Sequence, residues 1–476
     1  MSLHEPGAIL LISCYELGHQ PLAAASPLGF LERAGYSADV LDISVDPFDP
    51  VKVQRACLVG ISVPMHTALR LGVRVAERVR EINPAAAICF YGLYAALNAD
   101  YLLEHIADFC IGGECETPLV SLVEALERSQ GSGVRGQESE KSRNGILQIE
   151  GVIQRGAASK PYLKRLPFAL PIRTGLPALS KYAWIEAKGG RRTVGYVEAS
   201  RGCLHMCTHC PIPPVYDGRF FVIPEAIVLE DIRKQVQAGA THITFGDPDF
   251  LNGPGHALSV VRAMHAEFPE VTFDITTKVE HILKRGTVLP EFGRLGCLFL
   301  ISAVDSVSNK VLDILEKHHT KTEIEEAVRV VRAAGIAPRP TWVAFTPWTT
   351  LGDYLDMLAF IEAQGLIDHV DPVQYTIRLL VPPASYLLNR PEMKQHLGDL
   401  DQASFSYKWA HPDPRMDRLQ KQLNTLVEKD VQAGVDPATM FYKVWSVASG
   451  REPTTVAQPF SPDRERAPRL SEPWFC

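Results

Sequence analysis

Three cysteines at CxxxCxxC spacing, Cys203, Cys207 and Cys210, are the residues of this sequence best suited to chemistry. Thiolates are preferred ligands of soft metal centres, and these three lie close together in one short stretch. A [4Fe–4S] cluster normally takes four cysteine ligands, so three cysteines would leave one iron open to a chelating small molecule. The spacing therefore favours an iron–sulfur cluster with one open coordination position.

Structural zinc is the alternative metal. Zinc takes four ligands, usually as two separated pairs. His205 and His209 could complete a tetrahedron, but they alternate with the cysteines on one tight loop, and no second pair follows at zinc-finger spacing. A non-catalytic metal-binding regulator thus stays open as a different class of function, whereas a disulfide framework is disfavoured because the ten cysteines are few and scattered.

The composition is typical of a globular chain with more than one domain, since 476 residues are 46% hydrophobic and 22% charged. The formal net charge of -7, without a basic block, argues against a nucleic-acid partner. Neither a signal peptide nor an apolar run of membrane-spanning length is present. We therefore expect no membrane association and a reducing, cytoplasmic location.

Strands alternate with helical patterns over residues 8–127, which predicts a doubly wound, Rossmann-like parallel sheet. Ligands of such sheets bind at the carboxyl ends of the strands. The predicted strands are Ala8–Ser13, Ala38–Asp42, Leu58–Val63, Ala87–Gly92 and Phe109–Gly113.

Six further strand–helix units begin at Thr193 and predict an open, partial (β/α)6 TIM barrel with its site at the carboxyl ends of the strands. The predicted strands are Gly195–Val197, Thr241–Phe245, Thr272–Thr276, Leu298–Ser302, Pro340–Phe345 and Pro372–Ile377. The cysteine loop follows the first of them. The α/β chain divides into a Rossmann-like domain (1–128), a linker and bridging segment (129–190), the partial barrel (191–384) and a C-terminal helical extension with a tail (385–476).

The stretch from Arg201 to Cys210 closely resembles the cluster motif of the radical S-adenosylmethionine (SAM) enzymes. The first domain resembles the cobalamin-binding-like domain that precedes many of their barrels, and Gly112-Gly113-Glu114-Cys115-Glu116-Thr117-Pro118 matches a turn near its end. The resemblance implies a [4Fe–4S] cluster, SAM, a small-molecule substrate and an electron donor such as flavodoxin or ferredoxin.

Cobalamin is a possible further cofactor under this resemblance. The Asp-x-His-x-x-Gly motif that supplies a histidine ligand to cobalt is absent, because the corresponding region reads Cys14-Tyr15-Glu16-Leu17-Gly18-His19. His19 is a candidate ligand or a solvated loop residue. Relatives exist that bind cobalamin without that histidine, and others keep the fold without the cofactor.

The resemblance also places SAM-binding residues after the second strand. His209 holds the position of an aromatic residue that flanks the adenine, with a surface role as the alternative. Gly246, Asp247 and Asp249 stand where relatives carry a Gly-Gly-Glu-like turn that meets the SAM amino group. Here the turn reads Gly-Asp-Pro-Asp, so the two acids either accept from the ammonium or only shape the turn.

Four more candidates follow later strands. Ser302 and Asp305 lie in a run that resembles the family's Gly-Val-Glu/Gln-Ser, whose acid meets the ribose or the amino-acid end of SAM. A helix N-cap is the alternative for that run. Lys278 and Arg378 lie just beyond the third and sixth strands, where each could pair with the SAM carboxylate or remain a surface cation.

The tail ends at Cys476, after Glu472-Pro473 and preceded by Leu470-Ser471. Together with the opening Ile9–Gln20, it resembles a radical SAM group with a Cys-Cys-Ala-Glu-Pro or selenocysteine-containing tail, although the cysteine pair is absent here. That group includes or neighbours the enzyme that forms the carbon–arsenic bond of arsinothricin. Cys476 is therefore a candidate catalytic thiol that folds back to the substrate or to an iron, and a frayed terminus is the alternative.

The resulting prediction is a radical SAM enzyme, of the transferase type, acting on a small molecule. The leading specific reaction is transfer of a 3-amino-3-carboxypropyl group from SAM to arsenic(III), which would form a carbon–arsenic bond. Cobalamin-dependent radical methylation is the alternative reaction.

Overall fold

The first part of the chain forms a six-stranded sheet in the order β2-β1-β3-β4-β5-β6, in a computed structural model that describes residues 2–131, 147–188, 190–451 and 466–472. Strands β1 to β5 are parallel, and β6 pairs antiparallel with β5. Their bounds are β1 Ile9–Ser13, β2 Ala38–Asp42, β3 Leu58–Ser62, β4 Ala87–Tyr91, β5 Phe109–Ile111 and β6 Val152–Gln154. The predicted doubly wound sheet is confirmed.

Helices cover both faces of this sheet because the buried strands are apolar on both sides. One face packs against α1 and α6 and the other against α3. The helices are α1 Leu22–Arg33, α2 Pro50–Arg55, α3 His66–Ile82, α4 Leu93–Leu97, α5 Ala99–His105 and α6 Glu116–Gly131.

A second, seven-stranded sheet follows in the order β14-β13-β12-β11-β8-β7-β17. Strands β8 and β11 to β14 are parallel neighbours, as a partial barrel requires. Its strands are β7 Trp184–Ala187, β8 Gly190–Val197, β11 His242–Phe245, β12 Thr272–Thr276, β13 Cys297–Asp305, β14 Ala337–Trp342 and β17 Arg469–Leu470. Two separate antiparallel pairs are β9 Ser200–Gly202 with β10 Phe220–Val222, and β15 Leu397–Asp401 with β16 Ser406–Trp409.

Helices pack on the convex side of this sheet and form the largest apolar core of the described chain. They are α8 Glu225–Gln237, α9 Pro254–Glu267, α10 Val279–Arg285, α11 Leu289–Arg294, α12 Asn309–Ile314, α13 Lys321–Ala333, α14 Leu351–Ala363, α16 Pro414–Gln432 and α17 Pro437–Ser449. Two short helices lie elsewhere: α7 Pro213–Tyr216 packs with the core of the first sheet, and α15 Pro391–Lys394 belongs to a separate small core. Helices α16 and α17 form the predicted C-terminal helical extension. No helix of the described residues is both long and apolar enough to cross a membrane.

The barrel differs from the sequence prediction at both edges. The predicted sixth strand is a 3-10 helix, Pro372–Tyr375, and only one parallel bridge, between Phe345 and Arg378, continues the sheet there. At the other edge, β7 and β17 add antiparallel strands beside β8. Pro372 stands at the start of this 3-10 helix, where its missing N–H is tolerated.

Candidate active site

The cysteine loop begins directly after the short strand β9 at the carboxyl edge of the barrel. Gly202 takes a left-handed φ of +75°, and a Cβ there would lie 2.4 Å from the carbonyl oxygen of Arg219. The three cysteines line one cavity of about 120 Å³. Burial raises the pKa of Cys203 to about 11 and that of Cys210 to about 12. The thiolate forms therefore need a cationic partner, which a metal centre supplies.

The two histidines of the loop are bound to carboxylates. His205 Nε2 lies 3.2 Å from Asp249 Oδ2, and His209 Nε2 lies 3.2 Å from Asp305 Oδ2. Their Nε2 atoms are thus engaged away from the thiols. This geometry disfavours a zinc site built from the cysteines and those nitrogens.

Asp249 is the centre of a buried group beside Cys203. Its Oδ2 lies 2.8 Å from His281 Nδ1, and its Oδ1 accepts a hydrogen bond of 2.6 Å from the Thr277 hydroxyl. Burial raises the pKa of this carboxyl, but the hydrogen bonds from His205 and His281 outweigh it and lower the pKa to about 2. Lys278 lines the same cavity, with its Nζ 3.3 Å from His205 Nδ1. A stable carboxylate and an ammonium therefore border the cysteines on this side.

Asp305 is the centre of a second charged group, at the end of β13. Its Oδ2 lies 2.7 Å from the Nζ of Lys317 and also contacts His209. Burial opposes ionisation, but the Lys317 ammonium and the contact with His209 hold the pKa of Asp305 well below its usual range. Lys317 lines the cavity with the cysteines.

Five of the predicted SAM-binding residues lie outside the lining of this cavity: Gly246, Asp247, Ser302, Asp305 and Arg378. Asp247 accepts hydrogen bonds from the Ala199 N–H (2.9 Å) and the Ser200 hydroxyl (2.6 Å), so it shapes the turn after β8. Ser302 faces the helix layer, with Val304 and Ile324 beside it.

Arg378 departs furthest from its predicted place. It donates to Asp417 Oδ1 and to the Trp409 carbonyl, both at 2.6 Å, and it stacks on the Trp409 ring. Arg378 therefore connects the barrel to the C-terminal extension. The predicted sixth strand, which would have directed it toward the site, is not formed. Cys476 lies outside the described residues.

Lys317 and His281 were missed by the sequence reasoning. Lys317 was visible only as part of the run Lys317-His318-His319-Thr320 ahead of a helix, and nothing assigned it a role. His281 gave no sequence signal, because it reaches Asp249 only through the packing of α10 against the end of β11.

A second cavity, of about 260 Å³, lies between the carboxyl edge of the first sheet and the cysteine loop. The loops after β3, β4 and β5 line one side, and residues of β8, β9 and α7 line the other. It shares Ile212 and Pro248 with the cysteine cavity, so the two cavities adjoin. Gly246 lines it, and a Cβ there would lie 2.3 Å from the Tyr196 hydroxyl.

Arg201 crosses this boundary between the two sheets. Its Nη1 lies 2.5 Å from Glu116 Oε1, its Nε lies 2.7 Å from Glu198 Oε2, and its Nη2 donates to the Ser26 hydroxyl at 3.0 Å. Glu114 Oε2 lies 3.6 Å from Nη1. Burial raises the pKa of Glu114 to about 7 despite the opposing charge of Arg201. One guanidinium therefore contacts two buried acids, Glu114 and Glu116, and the half-buried Glu198.

A row of buried hydroxyls lies at the same edge of the first sheet. Ser13, Ser62 and Tyr91 are register partners on β1, β3 and β4, and none of the three hydroxyls has a hydrogen-bond partner among the described residues. Buried polar groups are normally satisfied. These hydroxyls therefore mark a place where a polar ligand would be stabilised. Among the described residues no histidine lines the cavity, and His19 stacks on Tyr196 at 4.5 Å instead.

Residues 197–358 match the family profile described as the Radical SAM superfamily, and residues 9–123 match the B12 binding domain. The chain therefore combines a B12-binding domain with a radical SAM domain, which implies a [4Fe–4S] cluster and SAM as cofactors. The B12-binding domain supports cobalamin as a further cofactor.

Among curated proteins, the chain is similar to the anaerobic magnesium-protoporphyrin IX monomethyl ester cyclase of Synechocystis sp.. The identity is 23% over 405 residues, which cover 82% of this chain and 76% of the cyclase. It is also similar to the ribosomal protein uS12 methylthiotransferase RimO of Bacteroides fragilis, with 24% identity over 278 residues that cover 48% of this chain and 61% of RimO.

Two solved structures share the fold. The cobalamin-dependent SAM radical enzyme OxsB with aqua-cobalamin bound has a TM-score of 0.66 and 13% identity, covering 90% of this chain and 67% of OxsB. The radical SAM methyltransferase TsrM from Kitasatospora setae with cobalamin and a [4Fe–4S] cluster bound has a TM-score of 0.60 and 18% identity, covering 92% of this chain and 90% of TsrM.

Proposed function

We propose that the chain is an enzyme that cleaves SAM reductively at a [4Fe–4S] cluster and transfers a group to a small-molecule acceptor. The observation that carries the proposal is the cavity shared by Cys203, Cys207 and Cys210, with fixed charges around it. The cluster, held by these cysteines, supplies the electron that breaks a carbon–sulfur bond of SAM. A flavodoxin or ferredoxin in a reducing cytoplasm would deliver that electron.

The residues around the cysteines are suited to hold SAM. Asp249 is ionised and can accept from the SAM ammonium, while Lys278 can pair with the carboxylate. Asp305 lies two strands further along the sheet, at the end of β13, and contacts His209 of the cysteine loop. These two residues would meet the ribose and the adenine. Asp247, Ser302 and Arg378 lie outside the cavity lining, so we give them supporting roles in this proposal.

We infer that cobalamin binds in the cavity between the sheets, where it would supply alkyl-transfer chemistry. Of the three unsatisfied hydroxyls, that of Tyr91 belongs to a residue that lines this cavity, and it could bond a ligand rich in polar groups. The cavity lining offers no histidine to the cobalt, so the proposed binding is without a histidine ligand from the described residues. A volume of about 260 Å³ is small for a ligand pocket, so the facing loops must open to admit a corrin.

A second candidate reaction is transfer of a 3-amino-3-carboxypropyl group to arsenic(III). A contact between the two ends of the chain favours it, because the Tyr15 hydroxyl donates to Glu472 Oε1 at 3.0 Å. The tail is also anchored where the Ser471 N–H donates to the Trp184 carbonyl at 2.8 Å. This anchoring begins four residues before Cys476, whose thiol would suit a soft arsenic(III) centre.

The identity of the SAM products decides between the two reactions. Anaerobically reconstituted protein, reduced and supplied with SAM and candidate acceptors, is examined by liquid chromatography–mass spectrometry. 5′-Deoxyadenosine together with a corrinoid retained after cobalamin feeding supports cobalamin-dependent alkylation, while methylthioadenosine supports aminocarboxypropyl transfer. Zinc alone in the metal content, without SAM cleavage, would overturn the enzyme proposal.

Two variants test the residues behind these proposals. Cys207→Ala should abolish iron incorporation and SAM cleavage, and Cys57→Ala, a half-buried cysteine outside both cavities, should leave both unchanged. Cys476→Ser should lower turnover if the terminal thiol acts on the substrate. Unchanged turnover of Cys476→Ser would remove the tail from the mechanism.

A further inference from the structure

The turn that carries Lys317 has an unusual backbone. Glu316 and His318, on either side of the lysine, have φ values of +52° and +54°, and Asp305 has a φ of +67°. Non-glycine residues rarely adopt this left-handed conformation, and they do so mainly where the surrounding structure enforces it. Seven non-glycine residues of the described chain have positive φ. Three of these seven belong to or flank the ion pair between Lys317 and Asp305.

This backbone places a cation against the cysteine loop. Lys317 is 2% exposed and lines the cavity with all three cysteines. The loop is fixed to the same turn, because the Thr208 N–H donates to the Leu315 carbonyl at 3.2 Å and the Thr208 hydroxyl donates to the Ile314 carbonyl at 3.1 Å. The position of the ammonium relative to the cysteines is therefore set by hydrogen bonds and not by a flexible side chain alone.

We propose that Lys317 raises the reduction potential of the cluster held by Cys203, Cys207 and Cys210, and that Asp305 limits this effect. The inference rests on the proposed cluster. Reduction adds one electron from the donor to the cluster and changes no bond to Lys317. A buried cation stabilises the more negative, reduced state, because net charge and burial set cluster potentials. Asp305, 2.7 Å from Nζ, carries the opposite charge and acts in the opposite direction.

A redox titration of reconstituted protein without SAM measures the effect directly. The reduced cluster is followed by electron paramagnetic resonance during titration with dithionite and redox mediators. For Lys317→Met we expect the equilibrium constant of reduction to fall about tenfold or more, which for one electron is a shift of about 59 mV to more negative potential. Lys317→Arg retains the charge and should stay close to wild type, and Asp305→Asn should shift the potential in the positive direction.

Arg390→Met is the matched control. Arg390 pairs with Glu316 of the same turn at 2.9 Å but does not line the cavity, so its loss perturbs the turn without removing charge from the cluster. The reduction potential of the cluster in Arg390→Met should equal that in wild type. Because Lys317→Met leaves Asp305 buried without its partner, the double variant Lys317→Met/Asp305→Asn is titrated as well, and it should lie between the two single variants.

The outcomes separate this inference from the proposed function. Wild-type protein that forms no four-iron cluster would overturn both. Wild type and Lys317→Met with equal cluster content and equal potentials would overturn only the role of Lys317. A shift in Arg390→Met as large as that in Lys317→Met would also overturn it, because the turn and not the charge would then set the potential.

Discussion

At the scale of single residues, the partners of each buried acid around the two cavities decide whether it carries charge. Burial raises the pKa of Glu16 to about 8, with a smaller contribution from Glu198, although Glu16 accepts from the N–H groups of Leu22 and Ala23. Asp249 is equally buried but has a pKa of about 2, because two histidines donate to it. The side chains of His205, His281 and Thr277 bond the Asp249 carboxylate, and these bonds stabilise its ionised form more than the backbone amides stabilise that of Glu16.

Glu16→Gln should flatten the pH dependence of stability. Between the unfolded pKa of 4.5 and the folded pKa of about 8, the folded chain keeps a proton that the unfolded chain has lost. The free energy of unfolding therefore falls as pH rises through this window, by about 1.4 kcal/mol per pH unit for one proton. Above about pH 8, Glu16 is ionised in both states and no longer makes the free energy of unfolding depend on pH.

Denaturant unfolding of both proteins from pH 5.5 to 7.5 measures this slope. Asp249 and Asp305, whose pKa values are lowered, contribute only at lower pH and do not mask it. Equal slopes for wild type and Glu16→Gln would show that Glu16 is ionised in the folded protein.

At the scale of elements, the barrel strands pack so closely that a single glycine sets their fit. Gly246 ends β11 against the ring of Tyr196 on β8, and a Cβ on it would lie 2.3 Å from the tyrosine hydroxyl. The same two residues border the cavity between the sheets. The packing of β8 against β11 therefore also sets the shape of this cavity.

Gly246→Ala should destabilise the protein by about 1–3 kcal/mol, the usual cost of overpacking a buried site. The displaced Tyr196 ring should also weaken retention of a corrinoid. Gly255→Ala is the control, because a Cβ at Gly255 meets no atom within 4 Å. Unfolding midpoints and visible absorption of bound corrinoid measure both effects. Equal stability of the two variants would contradict the close contact.

At the scale of the whole molecule, Arg201 joins the first sheet to the barrel two residues before the first cluster cysteine. Its partners Glu116 and Ser26 belong to α6 and α1, while Glu198 follows β8. Breaking a buried ion pair by removing one partner leaves the other charge uncompensated, which typically costs 3–5 kcal/mol. Arg201 thus contributes, together with the hydrogen bond from the Tyr216 hydroxyl to Glu114, to holding the cysteine loop against the first sheet.

Arg201→Met should therefore lower the free energy of unfolding by about 3–5 kcal/mol. Arg262→Met removes an exposed pair with Glu291 and should cost less than about 1 kcal/mol. Urea unfolding of the two variants measures the difference. If Arg201→Met loses no more free energy of unfolding than Arg262→Met does, the buried acids become neutral when the arginine is removed.

The cysteine spacing, the five parallel strands of the first sheet and most barrel strands were predictable, because they depend on local patterns of apolar residues and on short-range motifs. The residues that gather around the cysteines were predicted less well. Asp249, Lys278, Asp305 and His209 reach the cavity or its edge, whereas Ser302 faces the helices and Arg378 binds Asp417. A one-residue step along a strand reverses the face of a side chain, and such steps depend on pairing between distant strands.

The sequence by itself determined the proposed chemistry, since three cysteines at this spacing predict a cluster loop wherever the loop lies. Only the tertiary structure decided the electrostatics around that loop. Lys317 and His281 come to it from elements far along the chain, and Arg201 meets acids of another sheet. The interaction between two charges is strong only when they are buried and close together. Burial and distance both arise from packing that no local sequence pattern encodes.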